Sequence, residues 1–362
     1  MLEEKKKALA VVAGPYRFCQ ILWLYALHPE YRWSILLLPY GKGNDAAQKL
    51  EAACRKLGIF EHIFRPQVVG EHSPFGQKLA LAAKMCLFYV TGRKKVFMRR
   101  ILEKMTDGEK FSAAFVGCEY SILEGAIIGL ADEMEVSIFE EGLGDYCERR
   151  GWSGFDMETL TGFLFSQMGY FNPGCHFEMK NTRLCVKYSS RPDMLKYRKY
   201  RRILPLFAGG KDVKQKYRAL VEKAYAVGEI SLDEYGVILL TNPLEDFVKD
   251  GTAYYELLHQ WLREQYKDMR ILIKKHPRDG YTYQWDDLRC DFMNPDIPAE
   301  VFLSLIGKQK VLLMYASTLL ISLLQKKENV SIITFTHIHG KYKDELAELL
   351  TLFGMQDRMV LL

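Results

Sequence analysis

No apolar run in this sequence is long enough to cross a bilayer. The longest, Val311 to Leu324, has about fourteen residues and contains Ser and Thr, short of the roughly twenty that a spanning helix needs. Cysteine pairing is missing too. The eight cysteines (Cys19, Cys54, Cys86, Cys118, Cys147, Cys175, Cys185 and Cys290) stand singly, with no C-x-x-C pair and no Cys/His spacing of a zinc cage. Several lie in apolar runs such as LAAKMCLFYV, where a free thiol acts as a small hydrophobe. Thiols without a disulfide framework point to a reducing compartment, so a cytoplasmic protein is expected. A secretory leader is not expected: the apolar stretch after MLEEKKK stops at Gly14-Pro15 and lacks a small-residue cleavage site. Internal repeats and low-complexity tracts are absent. The formal charge of +5 is too mild to name nucleic acid as a partner.

What is present suits two globular domains. The chain has 362 residues, 49% of them hydrophobic and 26% charged, enough to bury two cores. The charge is unevenly spread. Between Glu178 and Lys216 twelve basic residues face three acidic ones, so this stretch carries about +9 and the remainder is slightly acidic.

The hydrophobic pattern alternates between strand and helix. Ala8–Ala13, Trp33–Pro39, Phe60–Pro66, Ser112–Gly117 and Val136–Phe139 read as strands. Phe18–Leu27, Asn44–Leu57, Leu79–Met105 and the run SILEGAIIGLADE read as helices between them. Cys147–Ala226 is rich in aromatic and basic residues and weakly periodic, ending in a helix over Val213–Ala226. The alternation then returns, with strands at Val237–Thr241, Met269–Lys274, Val311–Met314 and Val330–Phe335 and helices at Ala253–Tyr266 and Asp344–Phe353. The expected fold is α/β, with two Rossmann-like parallel-sheet domains facing across a cleft, the GT-B architecture. The N-terminal domain is predicted over 1–226, with the basic aromatic segment at about 147–216 on its acceptor side. A C-terminal domain is predicted over 227–362.

Three polar clusters follow strands, where open α/β sheets bind ligands. In IFEEGLGDY, a strand runs into Glu140 and Glu141, and Gly142 and Gly144 permit a tight turn. Adjacent carboxylates suit general-base work, because repulsion and burial raise one pKa. In ILIKKHPRDG, a strand delivers Lys274, Lys275 and His276, and Pro277 restricts the residue before it. An imidazole among cations suits a site that receives phosphate. In VLLMYASTLLISLL, Ser317 and Thr318 open an apolar helix, and hydroxyls at a helix N-terminus can cradle phosphate. Taken singly, each cluster also fits a charged loop, a surface histidine or a plain helix cap. His337 and His339 lack a third ligand, so no metal is assigned.

The order Glu140-Glu141-Gly142, His276-Pro277, Ser317-Thr318 resembles the bacterial GT-B sialyltransferases, namely glycosyltransferase family 52 and the related polysialyltransferases. The IPAE stretch ending at Glu300 is similar as well. The resemblance runs from about Ile138 to Ser322. It implies inverting transfer of sialic acid from CMP-sialic acid to a glycan hydroxyl, of the lipooligosaccharide or capsule type, with no metal and no cofactor beyond the CMP-sugar substrate. Glu140 or Glu141 would be the base, with Asp246 as a second candidate from TNPLEDFVKD, where Glu245 and Asp250 also stand. His276 would assist the leaving phosphate, and Ser317 and Thr318 would bind it. Gly142, Lys274, Pro277 and Glu300 would complete substrate binding, and the domain over 227–362 would be the one that binds the nucleotide-sugar (CMP) donor. The implied partners are the nucleotide-sugar donor and an oligosaccharide or glycolipid acceptor. The basic stretch suggests peripheral contact with an anionic membrane at the inner face of the cell membrane; homodimerisation is left open. Two other readings stay open: a GT-B transferase with another donor, such as a CDP-polyol, and a non-catalytic protein binding anionic lipid or nucleic acid.

Overall fold

A computed structural model of the chain describes residues 5–39, 45–66, 90–117, 122–140, 180–195, 200–227, 231–244, 251–276, 279–294, 297–303, 306–314, 319–323, 328–335 and 350–362. It also describes the shorter pieces 76, 80, 83–84, 87–88, 145–146 and 347. The chain divides into two compact units, Met1–Ala224 and Tyr225–Leu362.

The first unit holds seven strands: β1 (Lys6–Val12), β2 (Tyr31–Leu37), β3 (Ile63–Phe64), β4 (Ala113–Val116), β5 (Glu135–Ile138), β6 (Val186–Ser189) and β7 (Arg202–Pro205). They form one sheet in the order β3-β2-β1-β4-β5-β6-β7, every pairing parallel. Ala8 to Val12 and Trp33 to Leu37 are fully or almost fully buried. This is why these strands read as unbroken apolar runs rather than alternating ones.

The described helices of this unit are α1 (Pro15–Leu27), α2 (Asp45–Leu57), α3 (Lys94–Met105), α4 (Ile122–Gly129) and α5 (Lys211–Tyr225). Gly14, at φ 85°, caps α1 and Pro15 follows as its first residue, a geometry that preorganises a helix start. In α2, Ala47, Leu50, Cys54 and Leu57 are buried, the spacing of one helical face. The helix stops at Gly58, whose φ of +65° releases the chain. The helix expected as one piece over Leu79–Met105 is interrupted by a turn at Thr91-Gly92, where Gly92 adopts φ +69°.

Two strands were not visible in the sequence pattern of this unit. β6 and β7 lie within the basic stretch and extend the sheet past β5. Their sequences, VKYS and RILP, contain too few aliphatic residues to stand out. In β6 all four residues are nonetheless buried, Lys187 included.

The second unit repeats the plan. β8 (Val237–Leu240), β9 (Arg270–Lys274), β10 (Arg289–Phe292), β11 (Lys310–Met314), β12 (Val330–Thr334) and β13 (Met359–Leu361) run in the order β10-β9-β8-β11-β12-β13, again all parallel. The described helices with assigned ends are α6 (Thr252–Tyr266), α7 (Ala299–Leu303) and α8 (Leu319–Leu323). Tyr255, Leu258, Leu262 and Tyr266 form the buried stripe of α6. The edge strands β10 and β13 were also missed by pattern, being short and partly exposed. Each sheet changes direction beside its first strand, between β1 and β4 and between β8 and β11, the switch point at which Rossmann-like sheets receive ligands. Among the described residues no helix is long and apolar enough to cross a membrane.

Candidate active site

In the first unit, Glu140 lies two residues past β5 and is 0% exposed. Its carboxylate accepts four hydrogen bonds. Ser190 N–H donates to Oε2 at 2.7 Å and Tyr146 OH donates to the same oxygen. Tyr16 OH and Ser190 Oγ donate to Oε1 at 3.0 and 3.2 Å. A carboxylate has about four lone-pair sites, so the group is saturated. Burial nevertheless dominates and holds its pKa above the ordinary carboxylate range. The Asp145 charge adds to that shift and the hydrogen bonds oppose it.

The surroundings of Glu140 come from distant parts of the chain. Tyr16 belongs to the first turn of α1, Ser189 ends β6 and Ser190 follows it. Tyr146 OH also contacts Ser189 Oγ at 2.8 Å and accepts from Arg191 N–H at 3.2 Å. Burial and the nearby Glu140 charge raise the Tyr146 phenol well above its usual pKa. Beside this cluster, Lys187 pairs with Asp145 at 3.0 Å and lies 5.7 Å from the Tyr200 ring.

At the switch point of this sheet Gly117 follows β4. A Cβ there would meet the Arg17 side chain at 2.7 Å and Phe139 at 2.9 Å, so any larger residue would displace one of them. Arg17 pairs with Glu124 at 3.1 Å, and Glu124 accepts the Gly117 N–H at 2.9 Å. None of Tyr16, Arg17, Tyr146 or Ser190 was singled out from the sequence. The only local hints were Gly14-Pro15 and Gly117 at strand ends.

In the second unit, Lys274 ends β9 and is 4% exposed, its ammonium donating to the Lys275 carbonyl at 3.0 Å. Glu300 stands in the first turn of α7. The residue is half-buried. That burial raises its pKa, against a backbone N–H bond and the Lys274 charge. Lys274 and Glu300 are therefore electrostatic neighbours.

His276 follows two residues after β9. Its N–H donates to Thr241 Oγ1 at 3.0 Å. Thr241 comes directly after β8, at the switch point of this sheet, and its hydroxyl donates to Asp279 Oδ2. The structure therefore sets Lys274 and His276 at the same strand end, with the Lys274 charge felt at Glu300. Glu141, Gly142, Asp246, Pro277, Ser317 and Thr318 lie outside the described residues, as do Glu245, Asp250, His337, His339 and residues 147–179. Among the described residues no group of three or more His, Cys, Asp or Glu side chains could hold a metal ion.

A family model for alpha-2,8-polysialyltransferases matches residues 76–336, well over half of the chain. The chain belongs to that family. The matched span takes in Glu140, His276 and Ser317-Thr318, and makes this polysialyltransferase-family chain a glycosyltransferase. No curated protein matches it. Among solved structures it is similar to MnaA of S. aureus with UDP, at TM-score 0.54 and 12% identity, covering 98% of this chain and 91% of that one. It is also similar to a UDP-GlcNAc 2-epimerase from Methanocaldococcus jannaschii, at TM-score 0.51 and 12% identity, covering 98% and 88%. A UDP-glucosyltransferase from Polygonum tinctorium gives TM-score 0.51 and 12% identity, covering 97% and 84%. At that identity the likeness is one of fold, and the fold is GT-B, two Rossmann-like units in one chain.

Proposed function

We propose that this chain transfers sialic acid from CMP-sialic acid to a hydroxyl of a glycan acceptor, with inversion and without a metal. The observation that carries the reading is the family match across all three motifs, residues 76–336. The acceptor oxygen attacks the anomeric carbon from the face opposite the phosphate. The bond from that carbon to the phosphate oxygen breaks, and its electron pair leaves with CMP. The acceptor proton passes to a carboxylate at the end of β5. Burial raises the Glu140 pKa, the direction that favours a base; Glu141 is the alternative, and Asp246 the second candidate. His276 gives a proton or a hydrogen bond to the leaving phosphate oxygen, with Ser317 and Thr318 holding that phosphate. Gly142, Lys274, Pro277 and Glu300 shape the donor site.

The acceptor is an oligosaccharide or glycolipid of the lipooligosaccharide or capsule type, met at the inner face of a cell membrane by a cytoplasmic enzyme. The exposed cations Arg183, Arg202, Lys211, Lys214 and Lys216 support contact with anionic lipid. Other cations of the basic stretch are spent within the protein, Lys187 on Asp145 and Arg191 on Asp193 at 2.8 Å.

A thermal-shift panel of CMP, CDP, UMP, UDP and GDP tests the donor class, since only ligands of the native state raise the midpoint. CMP alone should stabilise, and His276→Ala should lower turnover by about 10²-fold or more. Chelator should leave the rate unchanged. Stabilisation by UDP with indifference to CMP would overturn the donor assignment.

A further inference from the structure

Asp279 is a buried carboxylate of the second unit that accepts four hydrogen bonds, and it stands inside the ILIKKHPRDG cluster without a role assigned from the sequence. It is 6% exposed. Its Oδ1 accepts Tyr255 OH and Tyr281 N–H, each at 3.1 Å. Its Oδ2 accepts Tyr283 OH at 2.7 Å and the Thr241 hydroxyl. All four of these donors are neutral, and together they fill the lone-pair sites of the carboxylate.

The consequence falls on His276. Thr241 uses its hydroxyl hydrogen on Asp279 and its oxygen lone pair on the His276 N–H, 3.0 Å away. The direction of both bonds is therefore set, because a carboxylate can only accept and a backbone N–H can only donate. Two backbone bonds complete the grip: Thr241 N–H donates to Lys274 O at 3.1 Å, and Asp279 N–H donates to His276 O at 2.9 Å. Beneath them Tyr255 and Tyr281 stack at 3.9 Å with an interplanar angle of 10°. Lys275 Nζ donates to Tyr281 O at 2.7 Å, tying the far side of the same loop.

We propose that Thr241 and Asp279 are positioning residues for His276, a clamp that fixes the backbone from which the imidazole projects. This rests on the reading that His276 serves the leaving phosphate. A displacement on the order of 1 Å of a catalytic group can cost about 10²-fold in rate. The clamp thus acts on turnover rather than on donor affinity.

The test compares Thr241→Val, which keeps the shape and loses the hydroxyl, with Thr241→Ser, which keeps it. Thr241→Val should lower kcat by about 10- to 100-fold with the KM for the CMP-sugar little changed. Thr241→Ser should stay within about 3-fold of wild type. On a His276→Ala background, Thr241→Val should cost nothing further, because the two act as one unit. A folded Thr241→Val with wild-type kcat, or losses that multiply in the double variant, overturns the clamp. If Thr241→Val does not fold, Asp279→Asn, of equal volume, carries the same comparison. If wild-type protein transfers no sugar from any CMP donor, the functional reading has failed. The clamp is then judged by the His276 imidazole NMR resonance, which should move in Thr241→Val and whose constancy would refute it.

Discussion

Glu140 shows how one buried side chain can be both satisfied and costly. Four hydrogen bonds fill its oxygens, yet burial still raises its pKa. Its native pKa lies above the unfolded value of about 4.3. The contribution to stability is therefore fully present below that value and is lost as pH rises through the folded pKa. Glu140→Gln removes the titration. Its amide oxygen can take Ser190 N–H and Tyr146, while its NH2 donates to the Tyr16 and Ser190 hydroxyls. Relative to Glu140→Gln, wild-type protein should thus lose thermal stability as pH rises above about 4.3. Parallel melting curves across that range would show that burial does not control this carboxyl.

At the scale of the element, β6 is the instructive case. A strand reading VKYS offers no alternation and puts a lysine in the interior, so pattern alone assigns it to an irregular stretch. The lysine is admissible because Asp145 meets it at 3.0 Å and the Phe139 carbonyl lies at 3.4 Å. Taking away one member of a buried pair strands the other charge, at a cost of about 3–5 kcal/mol. Lys187→Met should destabilise the protein by about that amount in chemical denaturation. A loss below about 1 kcal/mol, the value of a surface pair, would mean that β6 does not depend on this contact. Among the described strands β7 stands at the edge of the sheet, a position that tolerates the missing N–H of its terminal Pro205.

For the whole molecule, two parallel sheets imply two cores. Leu36 in β2 and Leu239 in β8 are both 0% exposed. Truncating either to alanine should cost about 2–5 kcal/mol. Hydrogen exchange should lose protection chiefly in the sheet that carries the substitution, Leu36→Ala in the first unit and Leu239→Ala in the second. Equal loss in both units from either variant would show a single cooperative core instead.

The central strands of both sheets and the helices α1, α2, α5 and α6 were legible in the sequence. Their buried faces impose periodicities of their own, and Gly14-Pro15 and Gly58 mark ends by local backbone rules. The strand ends bearing Glu140 and His276 were legible for the same reason. What encloses those two residues was not. Glu140 depends on Tyr16, 124 positions earlier, and on Ser190, 50 later. His276 depends on Thr241, 35 positions earlier, which in turn needs Asp279, 38 residues further on. Apolar periodicity reflects burial that each segment achieves against any core. A neutralised charge needs one particular donor at hydrogen-bond distance, and only the folded sheet brings such distant residues together.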